Sequence, residues 1–152
     1  LGHGLSVASG IALRAKMDNL DYRVFSILGD GELDEGSNWE ALMFAAHKKL
    51  DNLSIIIDRN NLQSINTTES TLALEPLALK IRAFGWEVHE IDGHDHEALE
   101  KALKIKNSHP VCIIANTVKG KGVSFMENNI EWHYRTPLGD DFERAISEIN
   151  KQ

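Results

Sequence analysis

Four short apolar runs, at residues 24–28, 53–57, 86–91 and 111–115, punctuate the chain. Two of them carry almost no polar residue, the pattern of strands covered on both faces. Apolar positions with helical spacing lie between them. Residues 5–16 read as a helix before the first strand. Trp39, Leu42, Met43 and Ala46 form a face behind Ser37-x-x-Glu40, which has the form of a capping box. Leu77, Ile81 and Phe84 form another, with Pro76 at its expected first helical position. Ala98, Leu99, Ala102, Leu103 and Ile105 form a third, and residues 142–149 a last helix.

Strands alternating with helices at this spacing predict an α/β fold, a parallel sheet with helices on both faces. No repeat, low-complexity tract or internal boundary breaks the chain, so residues 1–152 are expected to form one domain. Segments 59–74 and 117–138 are too long for simple turns, and such loops in compact α/β domains usually carry function. Both leave the C-terminal ends of strands, as does the loop 29–36. Ligands bind open parallel sheets at that edge.

Composition adds limits. The formal net charge of −7 argues against nonspecific binding to nucleic acid or anionic membrane. No stretch approaches the roughly 18 apolar residues of a membrane span, and no signal peptide is visible. The single cysteine, Cys112, has no disulfide partner within the chain, which fits a reducing, cytoplasmic setting. The chain opens Leu1-Gly2-His3-Gly4, inside a Gly-rich turn and without an initiator methionine. It is therefore expected to be part of a longer polypeptide.

The loop after the first strand poses a chemical puzzle. Gly29, Gly31 and Gly36 make it suited to phosphate, yet Asp30, Glu32, Asp34 and Glu35 fill it with carboxylates. A divalent cation reconciles the two. Mg²⁺ takes six hard oxygens, one or two from carboxylates and others from phosphate and water. Asp30 is placed for this at a strand end, and Gly31 lets the backbone approach a diphosphate. The second strand ends in Asp58-Arg59-Asn60-Asn61, and parallel pairing would bring Asn60 or Asn61 beside Asp30. The turn at Leu62-Gln63 could add a backbone carbonyl.

Gly29-Asp30-Gly31 followed thirty residues later by Asn60 resembles the motif of thiamine diphosphate-dependent proteins. The stretches LGHGLSVASGIALRAK, GDGELDEGSNWEA, KLDNLSIIIDRNNLQS, RAFGWEVHEIDGHD and TVKGKGVSFMENNIEWH resemble the transketolases, in the family's order and over most of residues 1–133. The resemblance is to the family's N-terminal half or separate N-terminal subunit, of whose beginning about a hundred residues are expected to be missing before Leu1. The resemblance implies the thiamine diphosphate-binding fold and these roles. Asp30, Asn60 and the Leu62 carbonyl would hold Mg²⁺ (or Ca²⁺). Gly29 and Gly31 would lie at the diphosphate, Gly31 giving a backbone N–H. Leu1 and Gly2 fall in the stretch that touches the cofactor's ring end. Glu35 falls on an acidic link between active sites at the subunit interface, and His133 on a late histidine facing diphosphate and substrate.

Other residues read as structural. His3 receives no catalytic task. His47, His89, His94, His96 and His109 fit helix faces, strand surfaces and loop ends. Asp92-Gly93-His94-Asp95 reads as a turn and helix cap, and Trp39 and Trp86 as packing. Lys119 and Lys121 could neutralise an anionic ligand, but solvated loop lysines are the preferred reading. Glu32 and Asp34 gain no role beyond solvation and favourable charge at a helix N-terminus.

The expected function follows from the resemblance. It is transfer of a two-carbon ketol unit from a ketose phosphate to an aldose, partnered by a C-terminal pyrimidine-binding subunit in a homo- or hetero-oligomer. The lone chain is expected to turn over negligibly, and one flank of its sheet to be exposed. Alternatives are a 1-deoxyxylulose 5-phosphate synthase-like enzyme, a specialised sugar transketolase, and a non-catalytic remnant acting as a binding partner.

Overall fold

The computed structural model describes residues 1–151; Gln152, the last residue of the expected domain, lies outside them. Each apolar run becomes a strand: β1 (Val24–Gly29), β2 (Leu53–Arg59), β3 (Glu87–Asp92) and β4 (Val111–Asn116). Trp86 precedes its strand rather than opening it. Among the described residues these form a four-stranded sheet in the order β1-β2-β4-β3, with every pairing parallel.

The helices are α1 (Gly4–Met17), α2 (Gly36–His47), α3 (Thr68–Thr71), α4 (Leu77–Ala83), α5 (His96–Leu103) and α6 (Asp140–Ile149). Connections through α2 and α4 run across the sheet in one direction, and α5 returns from edge strand β3 to β4. Crossovers of one hand in opposite directions place helices on opposite faces. Accordingly, α1, α2 and α4 pack with Leu28, Ile55, Ile57, Cys112 and Ile114 on one side, while Ala102 of α5 meets Val111 and Ile113 on the other. The alternation along β4 shows both faces covered there. Over β1 it is different: Phe25 and Ile27 are exposed, Ile27 to 75%.

Some local expectations fail. The capping box at Ser37-x-x-Glu40 does not form, because α2 begins at Gly36 with Glu35 as its uncapped N-cap. The Ser37 hydroxyl donates instead to the Gly2 carbonyl (2.6 Å). Pro76 is the N-cap of α4, one place before the first helical residue. Ile105 lies beyond the end of α5 and Met43 is exposed, but the turn and cap reading holds: Asp92 Oδ1 accepts from the His94 N–H, and Asp95 Oδ1 from those of Glu97 and Ala98. Trp86 donates to the Leu42 carbonyl and Trp39 to the Leu33 carbonyl, so both anchor the α2 face. No helix among the described residues is long and apolar enough to cross a membrane.

Candidate active site

Parallel register places the site. Gly29 at the end of β1 stands opposite Asp58 of β2, and the Asp30 N–H donates to the Asp58 carbonyl (3.2 Å). The chain then turns through a 3₁₀ segment, Gly31–Asp34, pinned by buried Leu33 and by the Asn38 amide donating to the Glu32 carbonyl (2.6 Å). A Cβ on Gly31 would fall 2.6 Å from Gln63 Cβ, so only glycine lets the second loop close over the first.

Asp30 is buried and heavily bonded. Its Oδ1 accepts from the Gly31 N–H (2.8 Å), and its Oδ2 from the Asn61 N–H (2.6 Å) and Arg59 Nη1 (3.2 Å). Parallel pairing thus does bring Asn61 onto Asp30. Burial pushes the Asp30 carboxyl above its ordinary range, against the pull of those N–H groups and the guanidinium. Arg59, also buried, further donates to Thr68 Oγ1 (2.7 Å), Glu69 Oε1 (3.0 Å) and Glu75 Oε1 (2.8 Å). Burial works against its charge, but the bonded Glu75 and Glu69 and the nearby Asp30 outweigh it and hold its pKa above the usual value.

A cleft of about 280 Å³ opens at this sheet edge, lined by Leu1, Gly29, Asp30, Gly31, Asn60, Leu62 and His133 together with Glu32, Asp58, Gln63, Ser64, Lys119 and Tyr134. Seven of the nine residues named from the sequence therefore meet in one place. The other two, Gly2 and Glu35, stand outside the cleft lining, packed on one another: a Cβ on Gly2 would lie 2.8 Å from Glu35 Cβ. Lys119 belongs to the cleft, contrary to the preferred solvated reading, whereas Lys121 sits 3.7 Å from Glu127. His133 is half-buried. Burial and the charge of Lys119 hold its pKa below the usual histidine value.

The donor set suits a hard divalent cation. Asp30 offers a carboxylate, Asn60 an amide oxygen and Leu62 a carbonyl, all oxygens. Such a site contains no trio of His, Cys, Asp or Glu, and none converges among the described residues. The surroundings suit an anion bound to that cation, with Lys119 and His133 lining the same space; the His133 Nδ1 itself is buried and without a hydrogen-bond partner. Some expected donors are already engaged. The Gly31 N–H is taken by Asp30, and Asn60 Oδ1 accepts from the Leu62 N–H (3.0 Å).

Sequence reasoning missed two residues. Arg59 occupies an inward position of β2, in step with Leu53, Ile55 and Ile57. A charge on a core-facing position was the available signal. Glu32 lines the cleft and accepts from the Gly2 N–H through Oε1 (2.8 Å) and the Gly29 N–H through Oε2 (3.4 Å), which is more than solvation.

Fold and cleft define a parallel α/β domain with an oxygen-rich, cation-flanked cleft at its strand ends. Comparison with known proteins names the family. The chain belongs to the transketolase family: the model described as "Transketolase, thiamine diphosphate binding domain" matches residues 1–150. It is 47% identical, over its whole length and 56% of the relative's, to an apulose-4-phosphate transketolase subunit from Actinobacillus succinogenes. To the 6-deoxy-6-sulfo-D-fructose transketolase subunit SqwG of a Clostridium species it is 41% identical, again over its whole length and 56% of the relative's. The crystal structure of Campylobacter jejuni transketolase superposes with a TM-score of 0.90 at 34% identity, covering all of this chain and 25% of that one. The chain thus spans little more than half the length of the curated subunits it matches.

Proposed function

We propose that this chain supplies the metal- and diphosphate-binding half of a transketolase-type active site. The supporting observation is the convergence of Asp30, Asn60 and Leu62 with Lys119 and His133 in one cleft. In this reading Asp30, Asn60 and the Leu62 carbonyl would hold Mg²⁺ (or Ca²⁺), whose charge would make the acidic loop compatible with a diphosphate. Lys119 offsets remaining negative charge, and Gly29 and Gly31 keep the wall free of side chains. Bound thiamine diphosphate supplies the electron sink for cleaving and forming the carbon–carbon bond next to the ketone. His133, kept neutral by burial and Lys119, can hydrogen-bond phosphate or substrate oxygens without adding charge. Leu1 lines the same cleft and belongs to the stretch that the resemblance puts at the cofactor's rings.

The reaction is transfer of a two-carbon ketol unit from a ketose phosphate to an aldose. It requires a second chain or domain that binds the aminopyrimidine, and Glu35 faces that assembly. Two relatives carry subunit names and are named for apulose-4-phosphate and 6-deoxy-6-sulfo-D-fructose. That favours a two-chain transketolase specialised for a sugar of that kind, phosphorylated or sulfonated, over the synthase reading. Mixing the chain with a pyrimidine-binding subunit, Mg²⁺, thiamine diphosphate and a panel of ketose phosphates tests this. Ketol transfer is expected only when both chains are present; transfer by the lone chain, or none by any pairing, contradicts it.

A further inference from the structure

Glu32 is a carboxylate inside a cleft read as binding an anion, which is costly unless its charge is used elsewhere. Its two oxygens face two backbone N–H groups from different parts of the chain, Gly2 at 2.8 Å and Gly29 at 3.4 Å. Gly2 is gripped from its other sides as well. The Ser37 hydroxyl donates to its carbonyl at 2.6 Å, and the Glu35 side chain closes on its Cα so tightly that a Cβ would collide. Its φ of +74° further restricts the position to glycine. The segment before α1 is thus held on the 29–36 loop by side chains of that loop and the first turn of α2.

We propose that Glu32 is a positioning residue that clamps the Leu1–Gly2 segment, whose Leu1 lines the cleft, to the metal-diphosphate loop, so that one rigid wall fits a ligand that carries both a ring and a diphosphate. Ser37 completes the clamp. This rests on the reading of the cleft as a thiamine diphosphate site. The carboxylate does not touch the ligand in this arrangement; it fixes the distance between two parts of the wall. Its negative charge opposes the diphosphate, so removing it acts in opposite directions on the ring and on the diphosphate.

The test compares two probes, thiamine diphosphate and inorganic pyrophosphate, titrated with Mg²⁺ into the wild-type chain and into Glu32→Ala, Glu32→Gln and Ser37→Ala. In Glu32→Ala, thiamine diphosphate should bind about tenfold more weakly, the loss of charge-assisted hydrogen bonds, while pyrophosphate binds as well as before or tighter. Glu32→Gln and Ser37→Ala should show smaller losses in the same sense. The Gly2 amide, followed by NMR without ligand, should exchange with solvent faster in both Glu32 variants. Equal weakening of both probes, or no weakening of either, overturns the clamp while leaving the site reading intact, as does unchanged Gly2 exchange. Failure of the wild-type chain to bind either probe overturns the site reading and the clamp's role in it.

Discussion

Arg59 Nη1 lies 3.2 Å from Asp30 Oδ2, and the two side chains are 4% and 1% exposed. The guanidinium joins the end of β1 to the 60–76 loop, because the same group also holds Thr68, Glu69 and Glu75. A buried ion pair is weak evidence of net stability, but removing one partner strands the other. Arg59→Met leaves Asp30 without its buried counter-charge and should cost about 3–5 kcal/mol. Asp30→Asn should cost less, since Arg59 retains Glu69 and Glu75. Urea denaturation of the two variants checks the order; equal losses would show that the pair is not the keystone.

Gly31→Ala probes the contact between the two loops. The new Cβ would meet Gln63 Cβ at 2.6 Å, an overlap expected to cost about 1–3 kcal/mol. Gln63→Gly in the same chain should recover most of that loss, because the clash is pairwise. A thermal-denaturation double-mutant cycle without coupling would place the strain elsewhere.

His133 should titrate below the ordinary histidine value of 6.5, for burial and Lys119 both disfavour its charged form. Its folded pKa is depressed relative to the unfolded chain, so the unfolded state takes up the proton first as pH falls. The stability linked to neutral His133 is full above about pH 6.5 and declines as pH drops toward the folded value. NMR titration of the ring should show this, and Lys119→Met should move the pKa up without fully restoring it. An unchanged value in Lys119→Met would remove the lysine from the account.

Cys112 is fully buried in β4, and burial pushes its thiol far above the usual range. A thiol reagent should label it only as fast as the chain unfolds. Rapid labelling of the folded protein would contradict the packing of that strand.

Much of this was legible in the sequence, for identifiable reasons. The strands show as apolar runs because β2 and β4 are covered on both faces. The meeting of Asp30 with Asn61 could be anticipated because β1, α2 and β2 form one crossover with adjacent parallel strands. The place of β4 between β2 and β3 could not, since strand order depends on contacts between segments far apart. Ser37 has the right spacing for a cap, but its hydroxyl is used by Gly2, 35 residues earlier. Arg59 escaped notice because its partners lie 9 to 29 residues away and only the folded loops assemble them. Glu32 was hidden for the same reason: its partner Gly2 is 30 residues distant.

The central claim is that Asp30 and Asn60 turn an acidic loop into a site for a diphosphate through a divalent cation. Isothermal titration of thiamine diphosphate into the wild-type chain, Asp30→Asn and Asn60→Ala, with Mg²⁺ and with a chelator, tests it most directly. Binding to the wild type that requires Mg²⁺ and is lost in Asp30→Asn and weakened in Asn60→Ala is the predicted result. Binding that persists in the chelator, or is unaffected by Asp30→Asn, would contradict it.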